Sequence, residues 1–252
     1  MKIAIAAIAA SPIELRRQGL VINAKRVLRL TRQDNLLARQ DNLLALRRRP
    51  FVPQTTMSRH GFDIAPNRAR SLKPAGLDQI WGGRHHVCAS RRGLRLAVVL
   101  DAVSRRVVGW ALADHLEASL AIEALDMALR RRDPAPISLI HHSDRGVQSA
   151  SIAELARLNA RKIAVSMSRP ANPYDNAKAE SFMTTLKQEE ANARTHADID
   201  DARRRIGAFI ETVDNAKRLH SALGYKPPAE FEAEFRRDND NQTNQDEALS
   251  PN

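Results

Sequence analysis

Leu94–Leu112 reads LRLAVVLDAVSRRVVGWAL. Two short runs rich in Val, Leu and Ala, Leu94–Asp101 and Arg106–Leu112, flank the polar turn Ala102–Arg105. Such runs around a tight polar connection predict a β-hairpin. The pattern then changes period. Leu116–Arg131 carries Leu120, Ala121, Leu125, Ala128 and Leu129 at helical spacing, so it reads as an amphipathic helix. Ile137–His141 is a short apolar strand ending at the turn His142-Ser143-Asp144-Arg145-Gly146. A helix over Ala150–Asn159, a strand over Lys162–Ser166 and helices over Asp175–Glu190 and Ile199–Val213 follow. A hairpin followed by alternating helices and strands implies an α/β layered domain.

Composition agrees with a packed domain. The chain has 252 residues, of which 43% are hydrophobic and only 4% aromatic, so the core must be built from aliphatic side chains. A single cysteine, Cys88, excludes an internal disulfide framework and a multi-cysteine zinc site. No apolar run reaches the roughly eighteen residues that a membrane span needs. Forty Lys and Arg oppose 29 Asp and Glu, a net charge of +11, which favours a polyanionic partner. Residues 1–50 hold eleven basic and three acidic residues, a net of +8, whereas 236–252 hold two basic and four acidic, a net of −2.

These shifts divide the chain. Residues 1–49 read as a truncated helical segment that starts at Ser11-Pro12 and breaks at Gly19. Its second helix contains RQDNLLA twice in succession, Arg32–Ala38 and Arg39–Ala45. Seven residues lengthen a helix by about 10.5 Å and return to nearly the same face, so the copy is tolerated without needing a role. The apolar start after Met1-Lys2 resembles a short signal peptide, but the charged helix that follows favours a cytoplasmic start. Residues 50–76, with Pro50, Pro53, Pro66 and Pro74, form a basic linker; 77–235 form the core; 236–252 read as a disordered polar tail.

Two carboxylates stand out. Asp144 lies just past a buried strand and Glu180 within a helix, with thirty-five residues between them. A strand end and an adjacent helix can bring carboxylates to one point, where they hold Mg²⁺ ions for phosphoryl transfer. Asp before Gly in a turn is common and helical Glu is commonly solvated, so spacing alone leaves a structural role open for both. Thr184 and Lys187 share the Glu180 face at i+4 and i+7, and Lys187 can meet a phosphate. The preceding loop, with Arg169, Asn172, Tyr174 and Asn176, offers a surface for a nucleic-acid backbone, as does Arg145 beside Asp144.

The segments RRQGLVINAKRVLRL, LAVVLDAVSRRVVGWAL, LIHHSDRGVQ, SMSRPANPYDNAKAESF and KRLHSALGYKPPAEF occur in this order over about residues 13–235. With them the chain resembles the OrfB-type transposases of bacterial insertion sequences, within the retroviral-integrase-like DDE superfamily. The resemblance implies an RNase-H-like core, a mixed five-stranded sheet flanked by helices, preceded by a helix-turn-helix-like segment. It implies Mg²⁺- or Mn²⁺-dependent DNA cleavage and strand transfer at insertion-sequence ends and target DNA. It further implies homo-oligomers on DNA, action at the bacterial nucleoid, and no membrane partner. Asp144 matches the second catalytic aspartate and Glu180 the glutamate, so both are the implied catalytic and metal-binding residues.

The first aspartate does not match. The resembled pattern is W-x-x-D-I-T-Y, whereas Trp81 is followed by Gly82-Gly83-Arg84-His85-His86-Val87, placing Arg84 at the aspartate's position. A cation there replaces a ligand. At about 5 Å from a divalent ion and an effective dielectric near 20, the repulsion is on the order of 6 kcal/mol. Metal binding is therefore expected to be weak or absent. Gly82-Gly83 and His85-His86 are also poor central-strand residues, so that edge of the site is expected to be disturbed. His85 or His86 could bind a metal, but Mg²⁺ prefers oxygen. Ser149, Ala171 and Asp214 depart from the pattern as well, Asp214 standing where an aromatic is usual. Tyr225 with Pro227-Pro228 is expected to pack the C-terminal turn onto the core. Three readings follow: an active transposase with a third ligand elsewhere, a non-catalytic DNA-binding remnant, and a product that scarcely folds.

Overall fold

The computed structural model describes residues 12–23, 25–26, 29, 65–69, 72–87, 94–114, 118–144, 152–168, 177–186, 189 and 196–249, with the backbone alone for 84–87, 118, 177–178 and 243–249. The repeated RQDNLLA segment lies outside them.

Five strands form one mixed sheet in the order β3-β2-β1-β4-β5. They are β1 (Ile80–Val87), β2 (Arg95–Asp101), β3 (Val107–Ala113), β4 (Ile140–Ser143) and β5 (Ala164–Met167). β1, β2 and β3 are antiparallel neighbours; β4 lies parallel to both β1 and β5. Both faces are covered, and the period-two alternation of β2 divides its side chains between them. Leu96, Val98 and Leu100 enter one core with Phe182, Met183 and Leu186 of α4 (Ala177–Leu186) and Ile206 and Phe209 of α5 (Ile199–Phe209). Ala97 and Val99 enter the other, with Leu120, Leu125, Ala128 and Leu129 of α2 (Ala118–Arg132) and Leu158 of α3 (Ile152–Ala160). Gly109 lets α2 approach β3, since a Cβ there would lie 2.1 Å from the Ala124 carbonyl oxygen.

Three expectations are corrected. β1 is a regular central strand, paired from Trp81 to Val87 with β2 despite its glycines and histidines. The β2 ladder along its whole length, joined by the β4 ladder up to Gly83, supplies the order that its own residues do not. The expected polar tail is instead the continuation of α6 (Pro228–Leu249). Pro228 suits the first helical position, no Pro or Gly interrupts 229–249, and the first turns are anchored to the core. The Tyr225 side chain is exposed rather than packed. Its turn is held by backbone bonds instead, Tyr225 N–H to His220 O at 2.9 Å and His220 N–H to Lys226 O at 3.2 Å.

The α6 anchor is a buried polar network. Glu232 accepts from Ser104 Oγ at 2.7 Å and Arg106 Nη1 at 2.9 Å, and it also pairs with Arg132 Nη2. Asp101 accepts the N–H groups of Asp78, Val103 and Ser104, closing the β2–β3 turn. α1 (Pro12–Arg17) joins the same end of the molecule: Arg17 donates to Tyr225 O at 3.1 Å and pairs with Glu230. Asp198 caps α5, accepting the Asp201 N–H at 2.7 Å.

Candidate functional site

The register of β1 against β4 builds the site. Ile80 pairs with Ile140 and each following residue in step, up to Gly83 with Ser143. The ladder ends at that pair, and the residues that follow it along the chain are Arg84 and Asp144. Across β1 and β2, Gly82 faces Leu100 and Arg84 faces Val98. Side chains alternate along a strand, so positions 82, 84, 142 and 144 belong to the sheet side that α4 covers. Glu180 sits in the first turn of α4 on that side. Ala179, Phe182, Met183 and Leu186 are buried, which leaves Glu180 half-buried and Thr184 exposed. Thr184 Oγ1 donates to the Glu180 carbonyl at 2.9 Å, so its hydroxyl serves the helix.

The donor chemistry at this point can be tested against a metal pair. Asp144 and Glu180 are two carboxylates, and the residue that follows Gly83 on β1 is an arginine in the sequence. Among the described residues no three His, Cys, Asp or Glu are grouped to hold a metal ion. A hard cation of this class takes carboxylate and other oxygen donors. Arg145, Arg169, Asn172, Tyr174, Asn176 and Lys187 lie outside the described residues.

Two buried polar contacts beside the site have no counterpart in the sequence reading. On the far side of β4, His141 Nε2 lies 3.4 Å from Glu154 Oε1, both side chains 2% exposed. Gly83 makes room for that imidazole, since a Cβ there would lie 2.9 Å from the ring. On the site side, His142 Nδ1 lies 2.9 Å from Ser166 Oγ. The His-His doublet at a strand end was the available signal, because a parallel central strand buries both of its faces.

Comparison with known proteins decides the family. Integrase core domain models match residues 79–173 and 161–228. The chain is 34% identical over 224 residues to the 31 kDa protein of insertion element IS600 of Shigella sonnei, covering 88% of this chain and 79% of that protein. It is 33% identical over 221 residues to the transposase of insertion sequence element IS904 of Lactococcus lactis, covering 86% and 83%. It belongs to the insertion-sequence transposase family. A third member, transposase InsF of IS3A from Escherichia coli, is 35% identical over 221 residues, covering 87% of this chain and 74% of that one. A chain of the simian T-cell lymphotropic virus intasome bound to the PP2A regulatory subunit B56 gamma shares the fold, with a TM-score of 0.53 at 19% identity, covering 69% of this chain and 59% of that one. The RNase-H-like integrase core expected for a transposase of this family is the fold observed. No helix among the described residues is long and apolar enough to cross a membrane.

Proposed function

We propose that this transposase-family chain binds insertion-sequence DNA and has an impaired centre for Mg²⁺-dependent cleavage and strand transfer. One observation supports the reading: β1 and β4 pair in parallel up to Gly83 and Ser143, and the next residues are Arg84 on one and Asp144 on the other. In this reading Asp144 and Glu180 are the surviving catalytic carboxylates, and the ligand that would join them is gone. Magnesium or manganese then binds weakly or not at all. DNA is held by the net charge of +11 together with Arg145, Arg169, Asn172, Tyr174, Asn176 and Lys187. Its partners are element ends, target DNA and further copies of the chain assembled on that DNA at the bacterial nucleoid.

Calorimetry with Mg²⁺ and Mn²⁺ on the full chain tests this, with Asp144→Asn as control and element-end DNA titrated at several salt concentrations. The expected outcome is no metal-binding heat beyond the control, with DNA affinity that falls steeply as salt rises through counterion release. Tight metal binding abolished by Asp144→Asn, with nicking of the element end, would overturn it.

A further inference from the structure

Ser166 occupies a junction that the family assignment does not explain. It lies in β5, pairs in register with His142 of β4, and is fully buried; His142 is 3% exposed. The Ser166 hydroxyl oxygen accepts the backbone N–H of Ala69 at 3.2 Å and that of Arg68 at 2.9 Å, the latter shared with the Pro66 carbonyl at 2.9 Å. Both belong to the segment that connects the basic N-terminal part to the core. The same oxygen lies 2.9 Å from His142 Nδ1.

The proton count fixes the directions. A hydroxyl has two lone pairs and one proton. The two amides occupy both lone pairs. A third donor from Nδ1 would have no lone pair to meet, so the hydroxyl donates to Nδ1. His142 is thereby the neutral tautomer that carries its proton on Nε2. Position 142 is two residues before Asp144, on the same side of the sheet.

We infer that Ser166 is a positioning residue that latches the connecting segment onto β5 and, through His142, orders the end of β4 that delivers Asp144. The N-terminal segment and the site strand then share one hydroxyl. An unseated connection leaves two lone pairs empty and the His142 tautomer unspecified. The link to Asp144 rests on the site reading above, whereas the latch itself is measurable without any catalytic activity, so the two can fail separately.

The test uses the full chain at one fixed pH, above the range where histidine is charged. Side-chain nitrogen NMR reports the tautomer of His142, assigned by the signal lost in His142→Gln. Amide hydrogen exchange reports protection of Arg68 and Ala69. Wild type is expected to show the Nε2–H tautomer and protected amides. Ser166→Ala should lower Ala69 protection about five-fold, the worth of one ordinary hydrogen bond, lower that of Arg68 less because its amide keeps the Pro66 carbonyl, and mix the tautomers. Ser166→Thr, which keeps the hydroxyl, should restore both. Arg68→Pro removes one donor at an exposed residue without touching the core, and it should lower Ala69 protection in the same way. The latch is overturned if Ser166→Ala leaves the tautomer and both amides unchanged. It is equally overturned if Ser166→Ala or Arg68→Pro raises exchange uniformly across the sheet, because the hydroxyl would then be only a packing group.

Discussion

Asn215 and Val107 are joined by two hydrogen bonds, Val107 N–H to Asn215 Oδ1 at 2.9 Å and Asn215 Nδ2 to Val107 O at 3.1 Å. The side-chain amide answers the outer edge of β3 as a sixth strand would. Further along, Arg203 Nη2 donates to Leu112 O at 3.2 Å. An open edge would otherwise present these groups to another chain. Asn215→Ala would leave a donor and an acceptor of Val107 buried without partners. Each such loss costs about 1–3 kcal/mol, so urea denaturation should show a loss of about 2–6 kcal/mol. A loss below about 0.5 kcal/mol would show that water replaces the amide.

Glu232 ties α6 to the hairpin turn. Burial raises its pKa, but the hydrogen bond and charge of Arg132, the Ser104 hydroxyl and the charge of Arg106 outweigh it, so it falls below the ordinary glutamate value of 4.5. A carboxyl with a lowered folded pKa stabilises above its unfolded value, and the gain disappears as pH falls through the folded one. Stability should therefore drop as pH falls below 4.5, and the drop should be smaller in Glu232→Gln. At neutral pH Glu232→Ala removes the closer counter-charge of Arg132, whose side chain is 7% exposed, and leaves only Asp78 at 3.7 Å. Breaking such a pair costs about 3–5 kcal/mol, measurable as a lowered midpoint in a melting curve.

Asp214 has the opposite sign. It is 1% exposed, and burial raises its pKa to about 6 against the pull of Arg218, whose Nε is 2.9 Å from Oδ1. The folded state holds the proton more tightly than the unfolded one, so the group costs stability as pH rises from 3.8 to about 6, and the cost is complete above that. Asp214→Asn keeps an acceptor for Arg218 and removes the buried charge. It should stabilise the chain at pH 7.5 by on the order of 2 kcal/mol and have a much smaller effect near pH 4. A variant equally stabilised at both values would show that the charge is not the cause.

How far the sequence could be read follows from which contacts are local. The alternation Leu96, Val98, Leu100 against Ala97, Val99 announces a strand buried on both faces, and both cores use it that way. Asp144 and Glu180 stand out in the sequence because each sits in a compact motif. β1 was misjudged because Gly82-Gly83 and His85-His86 carry little strand preference of their own; its order comes from β2 and β4, which lie elsewhere in the chain. The Ser166 contact joins residues 98 and 97 apart and leaves no local pattern. The length of α6 was hidden by an Asp-, Asn- and Gln-rich composition that reads as solvated coil, while its anchor, Glu232, meets Ser104, Arg106 and Arg132.

The regular β1 sharpens what Arg84→Asp should do. A disordered strand would have required rebuilding the whole stretch from Gly82 to Arg95 before any gain. The backbone ladder with β2 is intact from Trp81 to Val87, so under the proposed function the deficit reduces to the side chain at position 84. Replacing the cation by a carboxylate removes a repulsion of several kcal/mol and adds an oxygen ligand. Arg84→Asp should therefore raise Mn²⁺ affinity at least ten-fold in calorimetry, and Asp144→Asn in the same background should erase the gain. Nicking of element-end DNA should appear in the single variant, with restoration of Gly82–Arg95 to the W-x-x-D-I-T-Y pattern adding less than the first change. If metal affinity does not rise, position 84 does not share a site with Asp144, and the register argument for the impaired centre fails with it.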